Sequence, residues 1–244
     1  MSDFPNLLSP LHLPSVTLRN RIVMGAMHTR LETLDRPYER LAAFYATRAH
    51  GEVGLVLTGG YAPNPSGIFE PGAPRFDDNE HLDEHLAIVG GVHSGGSKIA
   101  LQIVHSGRYA KHELCVGASD LRSRINPISP RALSTEEVWQ TVADFANTAK
   151  LAKDVGYDGV EIMGSEGYLI NQFTAKLTNN RIDEFGGSFD ARIRFPLEIV
   201  KATEPKVTCS TCPASFSPDI PGRRKSYRTG SCPARGFLCP AARK

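Results

Sequence analysis

The sequence predicts an α/β protein built on a parallel sheet, and three observations lead there. Short apolar runs at residues 53–58, 98–104 and 159–163 alternate with stretches of helical period, the order of βαβ units. These runs are continuous rather than alternating in polarity, as expected of strands buried on both faces. No G-x-G-x-x-G follows any of them, so a dinucleotide-binding doubly wound sheet would lack its phosphate turn. Periodicity alone leaves a doubly wound sheet and a closed barrel both open.

Residues 4–20 are rich in Pro and Leu and read as a surface cover leading into a first strand at 21–24, RIVM. Residues 25–29 form the loop after it. The stretch 37–50 carries apolar residues at helical spacing, with Pro37 suited to the first helical position and Gly51 placed to end the helix at positive φ. The strand 53–58 ends in Gly59 and Gly60, and the loop 61–79 is longer than a connection requires, which marks it as functional. A helix over 81–93 is broken by Gly95 and Gly96 before the strand 98–104, and a second long loop covers 106–133.

The next helix has the clearest start signal. Ser134 is placed as N-cap, Glu137 closes a capping box, and Leu133 with Val138 forms the hydrophobic staple. Val142, Phe145, Ala149 and Ala152 continue one apolar face. Gly156 ends that helix, 159–163 is the fourth strand, and a last helix is expected over 189–202.

A chain of 244 residues that is 41% hydrophobic buries one substantial core. The balance of 28 basic against 26 acidic residues gives +2 and supports no nucleic-acid or membrane-surface partner. No run is long and apolar enough to span a bilayer, and the N-terminus lacks a signal peptide's basic and apolar regions, so a cytoplasmic protein is expected. Cys115 stands alone, while Cys209, Cys212, Cys232 and Cys239 fall late in the chain. The last two are too far apart for a compact cluster, and no metal site is expected.

About four βα units precede residue 202, against the eight of a closed barrel. Residues 203–244 are crowded with Pro, Ser, Arg and Cys and show no apolar period. The expectation is a disordered tail, with out-of-frame sequence as one origin. An unpaired sheet edge left by a half barrel would favour self-association.

The segment 164–195, GSEGYLINQFTAKLTNNRIDEFGGSFDARIRF, follows the fourth strand directly. Loops after strands carry chemistry because the strand end is rigid while the loop varies. This one holds Tyr168, with Glu166 nearby and Gly164 and Gly167 permitting tight turns. Arg181, Asp183, Arg192 and Arg194 are expected to tie the loop to the rim through ion pairs rather than to react.

The patterns G-x-x-G-Y-L at 164–169, N-x-R-x-D-x-F-G-G-S at 179–188, D-x-R-x-R-F at 190–195 and Q-x-x-H-x-G-R at 102–108 resemble the NADH:flavin oxidoreductase (old yellow enzyme) family. MGAMHT at 24–29 and GSEGYLIN at 164–171 are most similar to its bacterial 2,4-dienoyl-CoA reductase branch. The resemblance covers roughly residues 4–202. It implies a (β/α)8 TIM-barrel type of which 1–202 is the N-terminal half, with FMN as cofactor and NADPH as electron source. FAD and an iron–sulfur cluster belong only to the longer relatives. The implied reaction, a step in fatty acid β-oxidation, reduces a conjugated C=C bond of a 2,4-dienoyl-CoA-like substrate by hydride transfer from flavin. Tyr168 is then the proton donor, since a phenol with pKa near 10 can supply the second hydrogen.

In the same resemblance Gly25, Ala26, Met27 and His28 pass along the flavin ring, and Gly60 lets backbone approach it. Gln102 offers donor and acceptor together to the pyrimidine N3–H and its neighbouring carbonyl. His105 is expected to be a structural hydrogen-bonding residue. The family's carbonyl-polarising His or Asn pair is replaced by Met163 and Glu166, which argues against a simple enone reductase. Lys176 is one place away from the basic residue usual in the dienoyl-CoA branch, where this chain has Leu177. The family's phosphate-holding loops, its flavin-side Arg and the His partner of the tyrosine come from later strands. The alternative expectation is therefore an inactive half barrel with residual flavin binding or none.

Overall fold

The computed structural model describes residues 4–207 and the backbone of 238–240. A short helix α1 (Pro5–Leu8) leads into an antiparallel hairpin of β1 (Leu11–His12) and β2 (Thr17–Leu18), then β3 (Val23–Met24) and helix α2 (Pro37–His50). Next come β4 (Leu55–Tyr61), α3 (Leu82–Ser94), β5 (Lys98–Ile103) and two short strands, β6 (Val116–Gly117) and β7 (Arg131–Ala132). The order closes with α4 (Thr135–Asp154), β8 (Gly159–Ile162), α5 (Leu169–Thr174), α6 (Phe189–Arg192), α7 (Arg194–Val207) and β9 (Leu238–Pro240).

Strands β3, β4, β5 and β8 lie side by side, all parallel, in chain order. A doubly wound sheet would reverse direction at a switch point; here each unit adds its strand on the same side. That is the winding of the first half of a (β/α)8 barrel.

Side-chain alternation divides each strand between two cores. Val56, Ile99, Leu101, Ile103, Val160 and Ile162 point outward and pack with α2, α3 and α4 through Tyr45, Ala49, Ile88, Val92, Phe145 and Ala149. Leu55, Leu57 and Ala100 point inward and pack with Leu18 of the hairpin, Leu11 and Val16. The expected N-terminal cover is thus a plug on the inner face. Arg19 ties it to the end of α3 by donating to the Gly95 carbonyl at 2.9 Å.

The predicted helix over 37–50 and the Ser134 cap are both observed. Glu137 N–H donates to Ser134 Oγ at 3.2 Å, and Ser134 N–H donates to Glu137 Oε2 at 2.8 Å. Leu133 and Val138 are both buried in the outer core.

Four expectations are corrected. Gly51 has φ −79°, and the left-handed residue is Glu52 at φ 69°. Gly51 N–H still bonds the Thr47 carbonyl at 3.1 Å, so the reversal falls one residue later, where Asn20 Nδ2 donates to the Glu52 carbonyl at 2.7 Å. The expected single helix over 189–202 breaks at Ile193 into α6 and α7. Pro196 would otherwise sit in a helix interior, whereas the restart at Arg194 places it in a first turn, where no N–H is needed.

Helix α7 also runs past residue 202 to Val207, with Thr203 and Val207 buried against the core. Finally, the sheet edge expected to stay open at β8 is paired by the backbone of β9, Val160 opposite Cys239. The rest of the expected disordered tail, with Cys209, Cys212 and Cys232, lies outside the described residues. No helix among the described residues is long and apolar enough to cross a membrane.

Candidate functional site

The carboxyl ends of the parallel strands open onto one cavity of about 610 Å³. Gly25, Ala26, Met27 and His28 reach it from the loop after β3, Gly60 from β4, Gln102 from β5, and Tyr168 from the loop after β8. All seven residues singled out from the sequence therefore line the same space. Ile68 and Phe69 join them from the long 61–79 loop, and Glu161, Met163, Ser165 and Glu166 from β8 and its loop.

Each wall is held by its own local chemistry. Strand β4 runs through Gly59 and Gly60 rather than stopping before them, with an irregular register between Leu57 and Gly60. A Cβ on Gly60 would lie 2.3 Å from Val104 Cγ1 and 3.0 Å from Gln102 Oε1. Glycine is thus demanded by the neighbouring strand, before any ligand is considered. Gly25, by contrast, has open space where its Cβ would be. His28 is paired with Glu32 at 3.2 Å, and Met27 is half exposed at the cavity wall.

The loop carrying Tyr168 turns through two consecutive left-handed residues, Glu166 at φ 61° and Gly167 at φ 81°. A non-glycine residue there costs about 1 kcal/mol, and Glu166 is held by its neighbours. Gly167 N–H donates to Asn171 Oδ1 at 3.0 Å, and Gln172 Nε2 donates to the Gly167 carbonyl at 2.7 Å. The buried Gln172 also accepts from Arg108 N–H at 3.2 Å, so one amide side chain joins the loops after β5 and β8.

The Tyr168 ring meets Tyr109 edge-on with centroids 5.9 Å apart. Burial, then the nearby Glu166 and Tyr109, push the Tyr168 phenol above its ordinary pKa. It therefore keeps its proton at neutral pH, the state a proton donor needs.

His105 is structural, as expected. It is buried, and burial brings its pKa down to about 3, so the ring is neutral. Its Nδ1 accepts from Gly107 N–H at 3.1 Å, which leaves Nε2 to face Ser66 Oγ at 3.2 Å. The rim arginines also serve structure. Arg181 pairs with Asp183 at 2.5 Å and donates to the Ala118 carbonyl at 3.0 Å, while Arg194 pairs with Glu184 at 2.8 Å. Burial pushes the Asp183 carboxyl up, but hydrogen bonds from Arg181, Thr135 and the Phe185 N–H outweigh it and hold the pKa at about 2.

Gln102 has a partner that its motif does not show. Its Nε2 donates to Glu161 Oε2 at 2.9 Å and faces the Met163 sulfur at 3.8 Å. The amide thus has a partner on the neighbouring strand as well as a place in the cavity wall. Glu161 was missed because it was read as part of an apolar strand; a lone charge in such a run was the available signal. Gln172 and Tyr109 carried no signal separable from surrounding polar loop residues.

The cavity fits the ring end of a flavin. It offers glycine-lined backbone at Gly25 and Gly60, an uncommitted acceptor at Gln102 Oε1 and a thioether wall at Met27. Among the described residues, no group of three or more His, Cys, Asp or Glu is placed to hold a metal ion.

A family profile described as NADH:flavin oxidoreductase / NADH oxidase matches residues 6–225, beyond the boundary near 202 expected from the motifs. NADH oxidase of Thermoanaerobacter brockii is 37% identical over 208 residues, covering 82% of this chain and 32% of that protein. NADPH dehydrogenase of Bacillus subtilis (strain 168) is 36% identical over 197 residues, covering 80% of this chain and 58% of that protein. Among solved structures, morphinone reductase in complex with tetrahydroNAD superposes with TM-score 0.76 at 31% identity, over 82% of this chain and 61% of that one. A 2-naphthoyl-CoA reductase in complex with 2-naphthoyl-CoA gives 0.78 at 26% identity, over 83% and 34% respectively. The chain thus spans between about a third and three fifths of the length of the relatives it matches.

Proposed function

Because the chain belongs to the NADH:flavin oxidoreductase / NADH oxidase (old yellow enzyme) family, we propose that it works as an FMN-dependent NAD(P)H oxidoreductase. Its substrate is an activated, conjugated C=C bond of the 2,4-dienoyl-CoA kind. The observation that carries this reading is the convergence of Gly25–His28, Gly60, Gln102 and Tyr168, from four different strands, on one cavity.

FMN, when bound, supplies the hydride drawn from NAD(P)H. The chain's own residues would hold one side of the ring and supply a proton. Gly25–His28 and Gly60 would line the ring with backbone, and Gln102 would meet its pyrimidine edge. Tyr168 donates the proton that completes saturation of the double bond, and its raised pKa keeps that proton in place until the carbon becomes basic.

Two features favour an acyl-CoA over a simple enone. Met163 and Glu166 stand where the carbonyl-polarising pair is expected, so the substrate must bring its own activation, as a thioester does. The similarity to an enzyme solved with 2-naphthoyl-CoA supports the same class.

The test begins with FMN titrated into the purified chain, followed by flavin fluorescence, with saturable binding at one per chain expected. NADPH oxidation by the loaded protein is then compared with a 2,4-dienoyl-CoA and with a cyclic enone. Absence of saturable FMN binding would remove the flavoenzyme reading. Faster turnover of the enone would remove the thioester class and leave the rest standing.

A further inference from the structure

The loops after β5 and β8 meet beside Tyr168, and a glycine records how closely. Tyr109 ends a single turn, Gly107–Tyr109, that follows β5. A Cβ on Gly167 would lie 2.4 Å from the Tyr109 hydroxyl oxygen, 2.8 Å from its Cε2 and 3.0 Å from its Cζ. Only glycine leaves room for the ring there, and at φ 81° the same residue turns the loop.

The loop is also held against moving away. The buried Gln172 bonds the Gly167 carbonyl at 2.7 Å and the Arg108 N–H at 3.2 Å, one bond on each side of the contact. Leu169 N–H donates to the His105 carbonyl at 3.0 Å. Tyr168 therefore stands between two residues fixed to the loop after β5. Its backbone is pinned, while its ring can still choose among rotamers. The ring it meets is Tyr109, with centroids 5.9 Å apart and planes at 81°, an arrangement that aromatic quadrupoles favour.

We propose that Tyr109 is a positioning residue for Tyr168: it holds the phenol ring in the orientation in which that ring lines the cavity, and so sets the rate of the proton-transfer step. Tyr109 does not itself line the cavity, so it acts through Tyr168. The proposal rests on the reading of Tyr168 as proton donor, and its two tests fail separately from that reading.

The first uses the full chain without flavin. In ¹H–¹³C spectra of tyrosine-labelled protein, the Tyr168 ring is assigned by its loss in Tyr168→Phe. Tyr109→Leu should displace the Tyr168 ring signals, and Tyr109→Phe, which keeps a ring, should leave them near their parental positions. Unmoved signals in Tyr109→Leu, or an equal displacement in Tyr109→Phe, overturn the contact as the device that orients Tyr168.

The second uses the FMN-loaded chain in single-turnover measurements, which separate flavin reduction by NADPH from reoxidation by the unsaturated thioester. Tyr109→Leu should leave the first unchanged and slow the second by about tenfold or more, because a small misplacement of a reacting group can cost on the order of 10²-fold. Tyr109→Phe should recover the parental rate. In a Tyr168→Phe background, Tyr109→Leu should add nothing, since its effect passes through the phenol. Equal slowing of both steps, no recovery in Tyr109→Phe, or full additivity with Tyr168→Phe overturns the positioning role. Should Tyr168→Phe alone reoxidise at the parental rate, the proton-donor reading fails, and the ring spectra alone decide whether Tyr109 orients Tyr168. If Tyr109→Leu does not fold, Tyr109→Met carries both measurements.

Discussion

The outward and inward faces of β5 and β8 are one residue apart in sequence and different in purpose. Outward, Ile99, Leu101, Ile103, Val160 and Ile162 form an unbroken aliphatic layer against α2, α3 and α4. Inward, Ala100 is followed by Gln102, and Gly159 by Glu161, with the polar pair bonded across the strands at 2.9 Å. Successive side chains of a strand must point to opposite faces. One strand can therefore pack a core with one set of residues and recognise a ligand with the other. The contrast teaches where stability and chemistry separate in this fold: across the sheet, and toward the carboxyl ends of its strands.

The largest effect expected from breaking this contrast is on the outer face. Leu101→Ala empties a fully buried site and should cost roughly 2–5 kcal/mol in urea unfolding. Ring binding to the folded fraction should remain. A loss below about 1 kcal/mol would mean that the outer layer collapses to fill the gap.

The inner face should answer in the opposite way. Tyr168→Phe, in the FMN-loaded protein, should keep flavin reduction and slow reduction of the unsaturated substrate by about 10²-fold or more, with little change in melting temperature. Turnover at the parental rate would remove Tyr168 from the proton-transfer step.

Acid should sharpen the difference between buried neutral rings and the exposed rim. Burial first of all lowers both His85 and His105 to about 3, from an ordinary value of 6.5. Below pH 6.5 the unfolded chain takes up these protons and the folded chain does not, so stability falls as pH drops from about 6.5 toward 3. Asp183 acts later: its stabilisation, present above pH 3.8, is lost as pH falls through about 2. Urea midpoints measured stepwise across this range should show the first decline in parent protein and a smaller one in His85→Phe. A flat profile between pH 6 and 4 would contradict the burial of both rings.

The smallest effect belongs to a site far from the cavity. Ser134→Ala removes the cap of α4 and should cost about 1 kcal/mol without changing ring binding. A larger loss would show that the cap also holds the loop containing Leu133, whose carbonyl accepts from Arg181 at 2.5 Å.

Much of the site was legible in advance, because strand-end motifs are local: the spacing of Gln102, His105 and Gly107 or of Gly164, Gly167 and Tyr168 survives in one dimension. Partnerships were not. Gln102 was read as a free donor and acceptor because Glu161, which takes its N–H, lies on another strand. Gln172 holds two loops together from a helix in which its own neighbours carry no hint of either.

By itself, the sequence determined the alternation of strands and helices, the limits of the helix at 37–50 and the Ser134 capping box, all of which rest on periodicity and on bonds between residues a few positions apart. The tertiary structure alone decided that the left-handed turn falls on Glu52, which Asn20 holds through its carbonyl at 2.7 Å. It also decided that β9 covers the edge of β8, and that the Gln102 amide bonds Glu161 across the strands. In each case the deciding partner is distant along the chain, and a local pattern holds no record of which distant group will arrive.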